Sequence, residues 1–423
     1  MSVVELRFSL RRACRLLLAG SMLFAVQTAS SKDEISAERY RSSGLNGAFK
    51  LKGKSISEYL KFTREMVAKA RVDLVDTDRE RVIDGNAPFD LTPSKTCPAG
   101  KSKPFRRGIL LTHGLTDSPY FMRSLGRFFQ DNCFRVLAVL LPGHGTRPGD
   151  LLEVKWQEWL EAERFGIDAL AQEADQIYLL GFSTGGTLSL YQSLEDQRIR
   201  GLFFFSPAIK VSTLAIMANW HEAYDWLAPK SLWLDIMPDE DPFKYESFPA
   251  NAADQIHLLT TQLRAKMKKK IMIPTFVAVS EDDATVETPA TLDFFKLAIH
   301  PLSTLVLYST RKDASVPEVS PDKVVVVDSA VPQHHIISSA HTALVVPSED
   351  PHYGVRGDYA NCLHYYPKQE QKYRLCKDKK ESSLGEITEA NLKRGVVQRL
   401  MYNPHFDSLK LTLRQFVESL PND

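Results

Sequence analysis

The sequence predicts an α/β chain, a mostly parallel sheet with helices on both faces, and three observations predict it. From residue 105 onward short apolar runs alternate with helically spaced segments, the pattern of a sheet wound with helices. Several of those runs are almost continuously apolar, as strands buried on both faces are. Each polar motif falls at the carboxyl end of such a run, where the catalytic loops of these sheets lie. The chain has 423 residues, 43% hydrophobic and 25% charged, enough for one large core with a subdomain or for two domains. Its formal net charge of +1 provides no global field for nucleic acid or an acidic surface. The basic run from Arg264 to Lys270 is isolated and reads as a solvated helix face.

The elements follow in order. Residues 1–30 read as a signal peptide: Arg7, Arg11, Arg12 and Arg15 precede the apolar run LLLAGSMLFAV (16–26), then small residues and Lys32-Asp33-Glu34. The apolar run is short for a membrane span, so a cleaved signal is expected rather than an anchor, with a periplasmic or secreted product. Cys14 precedes that run, the wrong side for lipid modification. Removing the signal leaves Cys97, Cys133, Cys362 and Cys376, and export into an oxidising compartment implies bridges. The expected pairing is Cys97 with Cys133 and Cys362 with Cys376, one of three connectivities. Residues 31–104 form an extension on the core, with a helix over 55–74.

The core's first part, 105–207, holds the runs GILLTHG (108–114), RVLAVLLPGHG (135–145), IYLLGFS (177–183) and GLFFFSP (201–207). Residues 208–270 read as a mostly helical cap, including 218–237, whose Trp220, Trp226, Trp233, Ile236 and Met237 either line an acyl pocket or pack the cap onto the sheet. The second part, 271–423, contains IMIPTFVAVS (271–280), STLVLYS (303–309) and a last helix over 406–420. It also carries insertions at 311–335 and 346–400, the later one with Asp350-Pro-His-Tyr-Gly354 and Asn361-Cys-Leu-His-Tyr365 near the site.

Gly181-Phe-Ser183-Thr-Gly185 lies between a strand and a helix. A serine flanked at both second neighbours by glycine, in that context, matches a nucleophile elbow, where a side chain at either glycine would collide with the neighbouring strand or helix. A serine hydroxyl needs a base to take its proton and the base needs a carboxylate to orient it, both downstream. Glu281-Asp282-Asp283 follows a strand and supplies the acid. His334, His335, His341 and His352 are eligible bases. His341 lies in a small-residue loop where an imidazole can project, whereas His334 and His335 lead into Ile336-Ile337, placing at least one of them in a strand.

Three segments, LLTHGLTDSPYFMRSL (110–125), LLPGHGTRPGDL (140–151) and LLGFSTGG (179–186), make the chain resemble the α/β-hydrolase superfamily, in its carboxylesterase, monoacylglycerol lipase and serine aminopeptidase-like branch. The resemblance covers about residues 105–345 and the last helix. It implies an α/β-hydrolase fold with a helical cap, and Asp283-Ala-Thr-Val286 matches the family's Asp-x-x-Val acid loop, favouring Asp283 over Asp282. It supports His341 as base and places the backbone N–H groups of Leu115 and Thr184 in the oxyanion hole. His113 and His144, both upstream of Ser183, read as structural groups of the site floor.

The resulting expectation is an exported serine hydrolase that cleaves carboxylic esters through an acyl-enzyme on Ser183. It needs no metal or organic cofactor and no nucleic acid, and takes a small-molecule ester or acyl substrate, or a lipid at a membrane surface. Peptide or amide cleavage by the same triad, and a non-catalytic binding protein with the same fold, stay open as alternatives.

Overall fold

The computed structural model describes residues 38–46, 51, 53–211, 232–379 and 382–421. The expected signal peptide, Trp220 and Trp226 lie outside the described residues. Ser55 opens α1 (Ile56–Ala70): its hydroxyl accepts the Glu58 N–H while the Glu58 carboxylate accepts the Ser55 N–H, a reciprocal cap. After α2 (Arg79–Asn86) come β1 (Phe89–Leu91), β2 (Phe105–Thr112), α3 (Arg123–Asp131), β3 (Phe134–Val139), α4 (Trp156–Glu173), β4 (Ala174–Phe182), α5 (Thr184–Ser193) and β5 (Ile199–Phe205). The second half adds β6 (Trp233–Asp235), β7 (Phe248–Pro249), α6 (Ala250–Lys266), β8 (Thr275–Ser280), α7 (Thr288–Leu297), β9 (Thr304–Ser309) and β10 (Val324–Asp328). Last come α8 (Glu370–Lys377), β11 (Ser383–Gly385), α9 (Glu389–Leu392), β12 (Val397–Arg399) and α10 (Phe406–Ser419).

Eight strands form one sheet in the order β1-β3-β2-β4-β5-β8-β9-β10, parallel except for β1, which runs antiparallel to β3 at the edge. Strand periodicity divides the buried side chains between two layers. Leu110, Leu179, Phe204, Val277 and Leu305 pack with α4 to α7 on one face. Ile109, Leu180, Phe203, Phe276 and Val306 pack with α3, α10 and the loop around His341 on the other. Arg107 on β2 reaches α10, donating to the carbonyls of Val417 and Leu420 at 3.3 and 3.1 Å and so satisfying the free carbonyls of a helix end. Bridges join Cys97 to Cys133 and Cys362 to Cys376.

Three local expectations differ from the structure. The strand expected from Ile271 starts at Thr275, because Pro274 has no N–H for the ladder. β6, paired antiparallel with β7, is a strand where the end of 218–237 read as helical; residues 218–231 lie outside the described residues. His334 and His335 are exposed and neither lies in a strand: His334 closes a short 3-10 turn and His335 adopts a left-handed φ of 56°. Within 311–335, Val324–Asp328 extends the main sheet as β10. Among the described residues no helix is long and apolar enough to cross a membrane.

Candidate active site

β4 delivers Ser183 to the carboxyl end of the sheet, where the chain turns into α5 with φ 52° and ψ −116° at the serine. That left-handed backbone is costly for a non-glycine residue and points to a functional constraint. The turn is held by the Ser183 N–H donating to Phe205 O at 3.0 Å and by Ser183 O accepting from Ala208 N–H at 3.1 Å. Both flanking glycines are sterically required. A Cβ on Gly181 would lie 2.3 Å from the carbonyl carbon of Gly185, and one on Gly185 would lie 2.0 Å from Thr112 O.

Ser183 Oγ is 3.0 Å from Nε2 of His341, and Nδ1–H of His341 donates to Oδ2 of Asp283 at 2.7 Å. These residues, 158 and 58 positions apart along the chain, form one relay; Ser183 and His341 are buried and the Asp283 side chain has no exposed surface. Burial pushes the Asp283 carboxyl up, but the imidazole of His341 and the N–H donors of Val286 and Thr285 outweigh it, holding the acid below the usual carboxylate range. Asp282 points elsewhere, accepting only a long contact from Ser329 Oγ at 3.4 Å, and burial pushes its carboxyl up to about 6. The structure therefore brings Asp283, and not Asp282, to His341.

The turn after β2 meets the serine: a Cβ on Gly114 would be 3.2 Å from Ser183 Cβ. Leu115 follows that glycine and Thr184 follows the serine. Among the described residues neither backbone N–H donates to a protein acceptor. The turn is braced by Lys244, whose ammonium pairs with Asp117 and donates to Thr116 Oγ1 at 2.9 Å, and by Tyr245 N–H donating to Thr116 O at 2.8 Å. His113 lies in the floor as a neutral ring: Nδ1–H donates to Gly114 O at 2.8 Å, Nε2 accepts from Leu141 N–H at 3.1 Å, and burial drives its pKa well down. Burial lowers His144 to about 4, and its Nδ1–H donates to Pro142 O. Both rings are buried and bonded to the main chain of the floor.

His352 belongs to a separate cluster. Nδ1 binds Asp358 and Nε2 binds Asp241 at 3.3 Å; burial disfavours its charge, but the two carboxylates outweigh that and raise its pKa. It lines a polar cavity of about 540 Å³ with Arg39, Arg81, Asp358 and Lys377, and that cavity's lining includes none of Ser183, Asp283 and His341. Of the apolar candidates in the cap, Trp233 packs edge-on to Tyr40 at 5.2 Å and Ile236 is 52% exposed.

Sequence reasoning missed Glu386 and Arg399, which lie behind the His341 loop. The side chain of Glu386 is fully buried and its Oε2 accepts the His341 N–H at 2.9 Å. The local sign in the sequence is slight, a carboxylate between Gly385 and Ile387, and its target is 45 residues upstream.

A family model described as the alpha/beta hydrolase family matches residues 109–352. A thermostable monoacylglycerol lipase of Bacillus sp. (strain H-257) is 30% identical over 181 residues, 42% of this chain and 71% of the relative. A carboxylesterase of Bacillus subtilis (strain 168) is 24% identical over 190 residues, 43% of this chain and 74% of the relative. Among solved structures, a monoacylglycerol lipase of Paleococcus ferrophilus superposes with a TM-score of 0.40 at 17% identity, covering 52% of this chain and 88% of that one.

Proposed function

The chain belongs to the α/β-hydrolase family, and from that membership we propose that it is an exported serine hydrolase acting on carboxylic esters, small-molecule or lipid. The observation that carries the reading is the relay from Ser183 Oγ through His341 to Asp283 at 3.0 and 2.7 Å. As the substrate carbonyl approaches, Nε2 of His341 takes the Ser183 proton and Oγ attacks, giving a tetrahedral oxyanion. The N–H groups of Leu115 and Thr184 receive that charge, a contribution of several kcal/mol in such sites. The imidazolium, stabilised by Asp283, gives its proton to the departing alkoxide, which leaves as the alcohol. Water then enters: His341 takes its proton, hydroxide attacks the acyl-serine, and the imidazolium returns that proton to Ser183 Oγ as the carboxylic acid departs. Asp283 stays ionised throughout, consistent with its lowered pKa.

Two relatives named for ester cleavage, a monoacylglycerol lipase and a carboxylesterase, support esters over amides. The apolar run at 16–26 behind four arginines, together with the two bridges, supports export. The mature chain should then begin near Ser31 or Lys32.

The test is fluorophosphonate labelling of the purified chain with peptide mapping of the adduct, followed by p-nitrophenyl esters of increasing acyl length and a matched aminoacyl amide. Adduct on Ser183 and ester turnover that vanishes in Ser183→Ala are expected. Undiminished esterase activity in Ser183→Ala overturns the mechanism, and amide turnover exceeding ester turnover reassigns the substrate class.

A further inference from the structure

We propose that Glu386 and Arg399, both contributed by chain that follows His341, form a positioning clamp that holds the base loop and the acid loop in mutual register. The inference rests on the triad reading above. It makes the late insertion part of the working site, although neither residue touches substrate.

The connections close into a ring. From the main chain of His341, the N–H donates to Glu386 Oε2 at 2.9 Å. Nη2 of Arg399 binds both Glu386 oxygens, Oε1 at 2.9 Å and Oε2 at 3.1 Å. The same Nη2 donates to Thr285 Oγ1 at 2.6 Å. Thr285 N–H donates to Asp283 Oδ1 at 2.8 Å, and Asp283 Oδ2 accepts from the His341 ring at 2.7 Å. One ion pair, its carboxylate fully buried and its guanidinium 23% exposed, is thus bonded to the backbone of the base and to the residue that orients the acid.

The frame behind the clamp is main chain. Ile337 N–H donates to Leu384 O at 2.8 Å, and Glu386 N–H donates to Ser338 Oγ at 3.0 Å, lacing β11 to the base loop. β11 pairs in parallel with β12, which ends at Arg399, and Arg399 N–H donates to Asn361 O at 3.0 Å, next to the Cys362 bridge. A buried ion pair is weak evidence for stability in itself, because desolvation offsets the attraction. What identifies this one is its attachment to both catalytic loops at once.

The charges facing the His341 ring make the role measurable. They are Asp283, Asp117 with its partner Lys244, and the clamp. Glu386 favours the imidazolium and Arg399 opposes it. Removing one leaves the other uncompensated. Glu386→Gln should move the acidic limb of kcat/KM to lower pH, and Arg399→Met should move it to higher pH.

The experiment compares full-length wild type, Glu386→Gln, Arg399→Met, their double variant and Thr285→Val on one p-nitrophenyl ester across pH 5 to 9, with thermal unfolding alongside. Expected are a fall in kcat of about 10- to 100-fold with KM within about threefold, opposite shifts of the acidic limb, and a double variant close to the worse single, as for residues acting as a unit. Thr285→Val removes only the Arg399 acceptor and keeps the backbone N–H to Asp283, so it decides the matter even where the charge variants do not fold; it should lower kcat several-fold. Unchanged kcat and an unmoved acidic limb in Thr285→Val, or acidic limbs that shift in the same direction in the two charge variants, overturn the clamp. A wild type unlabelled by fluorophosphonate overturns the triad reading instead, which separates the two failures.

Discussion

Glu163→Gln should reverse its effect on stability between pH 4 and pH 7.5. Glu163 lies on α4 with no exposed surface; its Oε1 accepts from Thr112 Oγ1 at 2.9 Å and from Ser189 Oγ at 2.6 Å, while Oε2 has no partner among the described residues. Thr112 ends the strand that leads into the Gly114-Leu115 turn, so this carboxyl ties that strand to α4 and α5. Burial pushes its pKa up to about 8. The folded form then holds a proton that the unfolded chain, with a pKa near 4.5, releases. For such a raised carboxyl, stability is fully present below the unfolded pKa and falls as pH rises towards the folded one. The slope is about 1.4 kcal/mol per pH unit, or about 3 kcal/mol between pH 5 and 7.5.

Glutamine removes that dependence and leaves one further amide hydrogen unpaired, at a cost of about 1 kcal/mol. The variant should therefore be about 1 kcal/mol less stable than wild type at pH 4, below the unfolded pKa, and about 3 kcal/mol more stable at pH 7.5. Urea unfolding followed by tryptophan fluorescence, at half-unit pH steps, measures the difference. His113, His144 and His364, which burial keeps neutral, titrate alike in both proteins and cancel in that difference. Parallel pH profiles for the two proteins would refute the assignment of a neutral Glu163.

Three further outcomes are expected. Asp283→Asn should lower kcat by roughly ten-thousandfold, because an amide cannot hold the Nδ1–H tautomer or oppose imidazolium, whereas Asp282→Asn should change it by less than about threefold; ester kinetics on both variants decide, and the reverse ranking transfers the acid role. Gly185→Ala, with its Cβ 2.0 Å from Thr112 O, should cost about 3 kcal/mol of stability and most of the activity, read by unfolding and by fluorophosphonate labelling. Replacing Cys362 and Cys376 together by alanine opens a bridge of sequence separation 14 and should cost about 3 kcal/mol by loop entropy, measured by denaturant titration; four free thiols in the unreduced wild type would contradict the framework itself.

The relay was legible because its signals are local. Gly181, Ser183 and Gly185 declare a steric requirement within five residues, Asp283 follows a strongly apolar strand, and His341 lies in a loop of small residues. The edges of the sheet were not. β1 is three residues long and antiparallel, too short for a period to show, and β10 lies in a segment read as an insertion, with Val325 and Val326 39% and 40% exposed at the sheet's margin. His334 and His335 misled because an apolar Ile-Ile pair can follow a turn as readily as extend a strand. Glu386 and Arg399 were beyond reach for a different reason: their meaning depends on partners dozens of residues away, and neither position has a period or a neighbouring catalytic type to mark it.

The lacing of the base loop onto β11 sets an order in time. When residue 341 has been synthesised, nucleophile, acid and base all exist in the growing chain, but the main chain on which the base loop lies does not; the N–H of His341 waits another 45 residues for its acceptor. The site thus matures from its carboxyl-terminal side. A fragment ending between His341 and Glu386 contains Ser183, Asp283 and His341 and lacks the acceptor of the His341 N–H.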